Sequence, residues 1–288
     1  MVNRVMHGLF VGVTTLDLIY QVMEPPPPNQ KLVALDYTTA AGGPATNAAV
    51  SFGALGGQAS LLSVVGCHPM TQLIVADLQQ CDVALLDLDS AWAESPPVSS
   101  IIVTKATGDR AVISINAAKL QATPAQIPAD VLEDVDIVLL DGHQLAVGRA
   151  IAEQAKTLNI PVVLDGGSWK PGLETVLPLI DYAICSANFH PPHCDTQLEV
   201  VAYLNNLNIS HGAITCGEQP IWYRDRDQTG YLPVPKIQPV DTLGAGDIFH
   251  GAFCYFILQT NFIEALDKAA QVAARSCLHF GTRQWMKE

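Results

Sequence analysis

VDTLGAGDIFHGAF, running from Val240 to Phe253, decides the reading of this chain. Gly244 and Gly246 lack a Cβ, so the run Leu243–Gly246 can turn tightly and present successive backbone N–H groups where a helix begins. The following residues, Ile248 to Leu258, are apolar on nearly every face, which predicts a helix buried in the core with its amino end held rigidly. Unpaired N–H groups and the positive end of the helix dipole then make a site for a phosphate. Asp247 stands beside that site, where a carboxylate repels an anion. Two readings are open: Asp247 caps the helix, or it is a general base that takes the proton of an attacking hydroxyl.

Outward from this stretch, short apolar runs bounded by turn residues recur: GLFVGV, ASLLSVVG, VDIVLLDG, IPVVLDGG, DYAICSA and HGAITCG. They read as buried parallel strands. LAVGRAIAEQAKTLN and TQLEVVAYLNNLN between them carry helical spacing, which predicts an open α/β sheet with helices on both faces. The amino-terminal stretch through Tyr20 reads as a first buried strand, too short in its apolar run to span a bilayer. Residues 29–39 and 98–115 alternate like exposed strands, the second around a Thr-Gly-Asp turn. They predict a small projecting sheet, a lid, or else edge strands of the main sheet. A stiff run of four prolines, 25–28, leads into the first segment.

The 288 residues are 49% hydrophobic and carry a net charge of −13, enough apolar content for a large core and the wrong sign for nucleic acid or an anionic membrane. A cytoplasmic location is expected. Seven cysteines without a CxxC pair read as reduced, mostly core residues. HPPHC, 190–194, lacks zinc spacing and a fourth ligand, so no metal ligands are assigned. His250 is expected to pack or to bond backbone. There is no P-loop, and GAGDIF lacks the third glycine of a dinucleotide fingerprint. Upstream, AAGGPATNAAVSFGALGG, 40–57, lets backbone approach a ligand at Gly42 and Gly43 and sets Asn47 one turn into a small-residue helix. Asp17 follows the first strand and offers a second hydroxyl acceptor. Lys105, Arg110 and Lys170 are candidate partners for phosphate.

GGPATNAAVSFGALG, followed some two hundred residues later by DTLGAGDIFHGAF, resembles the two motifs of the ribokinase-like (PfkB) carbohydrate kinase family. The resemblance implies a three-layer α/β/α kinase domain over 1–288, with a mostly parallel central sheet and lid segments at about 20–42 and 98–118. It implies transfer of the ATP γ-phosphate to a sugar hydroxyl with Mg2+, with Asp247 as base and the backbone of Gly244, Ala245 and Gly246 as the anion hole. Asp17, Gly42, Gly43 and Asn47 would hold the substrate; Asn188, Thr215, Gly217 and Lys170 would serve the nucleotide. The terminal helix, which stops at Gly281, would border the adenine pocket, and the lid would close over the sugar and support a homodimer. The chain departs from the family pattern where Pro191 replaces the Glu of an Asn-x-x-Glu pair and Pro220 replaces the second glycine of the nucleotide loop. A nucleoside kinase of the same fold and a catalytically silent sugar sensor are the alternatives. A narrower likeness to ketohexokinase and sulfofructose kinase implies that Lys31, Asn116 and His143 meet the far end of the sugar. With His143 where that branch has Arg, it implies a ketose-like substrate with a neutral or weakly anionic end.

Overall fold

The computed structural model describes residues 4–26, 28–115 and 120–287. Strand β1 (His7–Val11) sits inside a nine-stranded sheet, flanked by β4 (Gln58–Ser63) on one side and β8 (Ile137–Leu140) on the other. Beyond β4 lies β5 (Val83–Asp87); beyond β8 follow β9 (Val162–Gly166), β10 (Tyr182–Ser186) and β11 (His211–Cys216), all parallel. Two antiparallel strands, β12 (Gln219–Asp225) and β13 (Gln228–Leu232), close that edge. The chain first builds outward from β1 in one direction and then from β8 in the other. The β1/β8 boundary is therefore a topological switch point, where the loops leaving the two carboxyl ends diverge and leave a crevice.

The buried runs are apolar on both sides because helices cover both faces of the sheet. Phe10 belongs to the core under α1 (Pro44–Ala54), α5 (Ala245–Ile257) and α6 (Phe262–Ser276), while its neighbours Leu9 and Val11 belong to the opposite core with α3 (Leu145–Leu158) and α4 (Gln197–Asn206). Helix α2 (Thr71–Gln80) connects β4 to β5. Helix α6 ends at Ser276, short of the expected stop at Gly281, and the chain then turns back toward the cavity.

The second sheet has four strands in the order β3 (Asp36–Gly42), β2 (Thr15–Val22), β6 (Val98–Thr104) and β7 (Arg110–Ser114). The projecting sheet is thus present, and the edge-strand reading is not. Its composition differs from expectation in two ways. The amino-terminal stretch holds two strands: β1 enters the main sheet, and β2 becomes a central strand of the lid. The strand expected over 29–39 begins only at Asp36, because the segment 31–34 has no regular structure and is largely exposed. One face of the lid carries Asp17, Ser99, Ile101 and Val112 toward the cavity. Ile19, Ile101 and Val103 seal the lid against the main body through Phe280.

Candidate active site

Helix α5 is preceded by Gly244, whose φ of 69° lies in the left-handed region and whose Cβ, were there one, would meet the Thr282 methyl at 2.9 Å. Only glycine fits that turn. No side chain caps the helix; the Ala245 N–H donates to the carbonyl of Thr242 at 3.4 Å, and the space around Gly246 is open. Asp247 is the third helical residue and not the cap. Its Oδ2 accepts a hydrogen bond from Asn47 Nδ2 at 2.9 Å.

That contact depends on how closely α1 and α5 approach. A Cβ at Gly251 would lie 2.1 Å from the carbonyl oxygen of Ala48, and Ser51 Oγ donates to the carbonyl of Ile248 at 3.0 Å. The small residues of both helices therefore bring Asn47 over Asp247. Burial is the main cause that pushes the Asp247 carboxyl up to about 7, helped by the nearby Asp165 carboxylate and opposed by the Asn47 hydrogen bond, His250 and Arg110. A carboxylate near pH 7 is well matched to accept a proton from a hydroxyl.

The cavity above this pair has a volume of about 720 Å³ and is lined by Asp17, Gly43, Asn47, His143, Lys170 and Asp247, among others. Asp17 is buried on β2, where the Thr15 hydroxyl donates to it at 2.7 Å. Burial raises its carboxyl above the ordinary range against that hydrogen bond. Gly42 lines up behind it, since a Cβ there would fall 2.0 Å from the Asp17 carboxylate. Gly43, at φ 101°, precedes α1, and a Cβ would meet the Val13 carbonyl at 2.2 Å.

His143 and Lys170 also line the cavity. Burial lowers the His143 imidazole and Lys170 lowers it further, against the pull of Asp141, so the ring is neutral around pH 7. Lys170, expected to serve the nucleotide, lines the same cavity as Asp247 and lies near His143. Lys31 lies exposed in the segment between β2 and β3, outside the cavity lining, because β3 starts five residues later. Asn116 lies outside the described residues.

Asn188, Thr215 and Gly217 cluster at the carboxyl ends of β10 and β11, along the crevice from the cavity, where Ala187 N donates to the Thr215 carbonyl at 2.9 Å. Gly217 and Glu218 form the two-residue turn into β12, and Pro220 is the second residue of that strand. Asn188 is exposed, and Pro191 is buried with no donor to offer. Among the described residues no group of three or more His, Cys, Asp or Glu side chains is placed to hold a metal ion. The His190 ring instead contacts the carbonyl of Cys194.

The lid reaches the turn before α5 directly. Thr242 donates through both its N–H and its hydroxyl to the carbonyl of Gly108 in the β6–β7 turn, at 3.2 and 3.1 Å, and Arg110 Nη1 donates to the Thr242 carbonyl at 3.0 Å. Lys105 is exposed in the same turn and is not a cavity residue.

Three acids and one base escaped the sequence reading. Asp141 is buried and accepts from the N–H groups of Val13 at 2.9 Å, His143 at 2.8 Å and Ala45 at 3.3 Å, tying together the ends of β1 and β8 and the start of α1. Asp165, buried at the end of β9, lies 3.4 Å from His250 Nδ1; the His250 ring also contacts the carbonyls of Gly246 and Ile184, as the backbone-bonding expectation had it. Arg283 and Asp77 form a partly buried pair beside Asn47. The available signal for the first two was an acid closing an apolar run, in VLLDG and VVLDG.

A family model described as pfkB family carbohydrate kinase matches residues 8–288. The ribokinase of Bacillus subtilis is 25% identical, covering 96% of this chain and 94% of its own, and the deoxyribokinase of Salmonella typhi is 25% identical, covering 95% and 93%. The solved structure of Arabidopsis thaliana ribokinase complexed with ribose and ATP has the same fold, with a TM-score of 0.79 at 21% identity over 99% of this chain and 100% of that one. With a mostly parallel sheet, a four-stranded lid and an uncapped helix start beside a carboxylate, the chain belongs to the pfkB family of carbohydrate kinases, phosphotransferases with a hydroxyl acceptor.

Proposed function

We propose that this enzyme transfers the γ-phosphate of ATP to a hydroxyl of a ketose-like sugar whose far end is neutral or carries a single weak negative charge. One observation carries the reading: the Asp247 carboxylate lies within 2.9 Å of Asn47 at the start of an uncapped helix and lines a cavity that also holds the His143 imidazole and the Lys170 cation. Asp17 and Asn47 bind sugar hydroxyls, and Asp247 takes the proton of the attacking one. The N–H groups of Gly244, Ala245 and Gly246 receive the charge of the transferred phosphoryl group. The adenine end of ATP lies along Asn188, Thr215 and Gly217. Mg2+ would enter with the phosphates, which together with water supply most of its ligands in such sites. The Asn188 loop, with Pro191 in place of an acid, adds no carboxylate to it.

Release of ADP, measured across ribose, deoxyribose, fructose, sulfofructose, fructose phosphates and nucleosides, tests the reading. A ketose is expected to give the highest kcat/KM. The His143→Arg variant should gain at least about tenfold on a sulfonated or phosphorylated ketose, since a guanidinium grips such a group by a charged fork at any physiological pH. Preference of the native enzyme for a full anion, unchanged by the substitution, overturns the substrate reading. Sugar binding by calorimetry without any nucleotide binding identifies a sensor instead.

The lid supports a homodimer. Its outer face exposes Tyr37 and Ile113, each 70% accessible, with Tyr20 stacked on Tyr37 at 6.4 Å between ring centroids. These large apolar side chains sit on a sheet face that is exposed among the described residues, and a second lid is a surface of matching shape and polarity. Light scattering is expected to give a dimer for the native protein and a monomer for the Tyr37→Asp, Ile113→Asp double variant. A native monomer at high micromolar concentration sinks this assembly.

A further inference from the structure

Arg283 lies beyond the end of α6 and reaches Asn47 on α1. Its guanidinium uses donors on every side. Nε and Nη2 donate to Asp77 Oδ2 at 3.2 and 3.0 Å, Nη2 also to the carbonyl of Ala41 at 2.6 Å, and Nη1 to Asn47 Oδ1 and the Thr282 hydroxyl, both at 3.0 Å. Asp77 Oδ2 in turn accepts the N–H of Ala41 at 2.9 Å. Both charged side chains are largely buried, 15% and 16% exposed.

A guanidinium can only donate. The atom of Asn47 that faces it must be the amide oxygen, and the NH2 group is thereby turned to Asp247. An asparagine amide fits the same outline when flipped, and the flipped form would set its oxygen against the Asp247 carboxylate. Helix α1 fixes where the Asn47 side chain lies but not which way its amide faces; Arg283 supplies that choice.

We propose that Arg283 is a positioning residue for phosphoryl transfer: it fixes the Asn47 amide so that it donates to the carboxylate of Asp247, and it ties this pair to the end of lid strand β3 through Ala41. The inference rests on the reading of Asp247 as the base. The other charged groups around Asp247 are Asp165 from β9, His250 from its own helix and Arg110 from β7; those around Arg283 are Asp77 and Cys81 at the end of α2 and Asp17 on β2. Asn47 is the hydrogen-bonded link between the two sets. Loss of its donated hydrogen bond removes support for the ionised base and so moves the acid limb of the rate upward.

The test compares kcat/KM against pH for the native enzyme, Arg283→Gln and Asp77→Asn. The Arg283→Gln variant should lose roughly tenfold at neutral pH, mainly in kcat, and its acid limb should move up by about one pH unit. Asp77→Asn keeps the guanidinium on Asn47 and should lower Tm while leaving the limb in place. An unmoved limb in Arg283→Gln, or an equal movement in Asp77→Asn, overturns the proposal.

A second measurement does not depend on turnover or on the variants folding. With 15N-asparagine labelling, the Asn47 side-chain amide of the native protein should exchange slowly and titrate with the midpoint of Asp247. A fast-exchanging amide that does not titrate overturns the proposal. Failure of the base reading shows separately, as retained turnover in Asp247→Asn.

Discussion

Asp247→Asn is expected to lower kcat by about two to four orders of magnitude while leaving sugar affinity nearly intact, because the amide keeps the shape and loses only proton acceptance. In the native enzyme kcat/KM should rise with pH through about 7 and level off above it, since the base must be ionised to act and its carboxyl is pushed up to about 7. The same shift bears on stability. The folded carboxyl binds a proton between its ordinary value of about 3.9 and about 7, a range in which the unfolded chain has lost it, so native stability falls as pH rises across that window. Above pH 7 the charged, buried Asp247 is a net destabilising group. Asn carries no such charge, so the variant should melt higher than the native protein at pH 8, and the gain should vanish near pH 4. For a chain of this size each kcal/mol recovered appears as roughly 2–4 °C in Tm. A slow enzyme that is also less stable at pH 8 would mean that Asp247 supports the fold and is not the base.

Gly251→Ala should have the largest effect among changes that touch no ligand. The added methyl would fall 2.1 Å from the Ala48 carbonyl oxygen and 2.8 Å from Ser51 Cβ, so α1 must move away from α5. Overpacking of this kind costs about 1–3 kcal/mol, and more where backbone is the obstacle. Separation of the helices also lengthens the contact between Asn47 and Asp247. Tm is expected to fall by several degrees, and kcat by at least about tenfold in the protein that remains folded at 25 °C. Thermal melts and turnover on the same sample decide the matter; a variant with native Tm and native kcat would show that the helix spacing is not what holds the pair.

Local pattern carried much of this architecture. IVLL in VDIVLLDG and AIC in DYAICSA are unbroken apolar runs, as a strand covered by helices on both faces requires. The anion-binding turn was legible because two glycines ahead of an apolar helix have few alternatives. The lid was legible only in part: TTLDLIYQV looks like a continuation of the first strand, and nothing local says that the chain leaves the main sheet at Gly12. Antiparallel β12 and β13 carry exposed polar residues and were invisible to a search for buried runs. Lys31 was misplaced for a related reason, since alternation in NQKLVALDYTT does not tell strand from extended loop. Lys170 and His143 meet only after β8 and β9 are paired, and Arg283 reaches Asn47 across the whole fold.

That last feature bears on how the enzyme comes into being. Asn47 and Asp247 are 200 residues apart, Asn47 and Arg283 are 236 apart, and the Gly108–Thr242 clasp spans 134. Contacts of such separation form late, after the entropy of closing large loops has been overcome. A half-folded chain with its parallel strands in place would have a crevice but would not yet have Asn47 set on Asp247. Catalytic competence is thus a report on the completed topology, and its return after dilution from denaturant marks the final docking of the segments and not the collapse of the core.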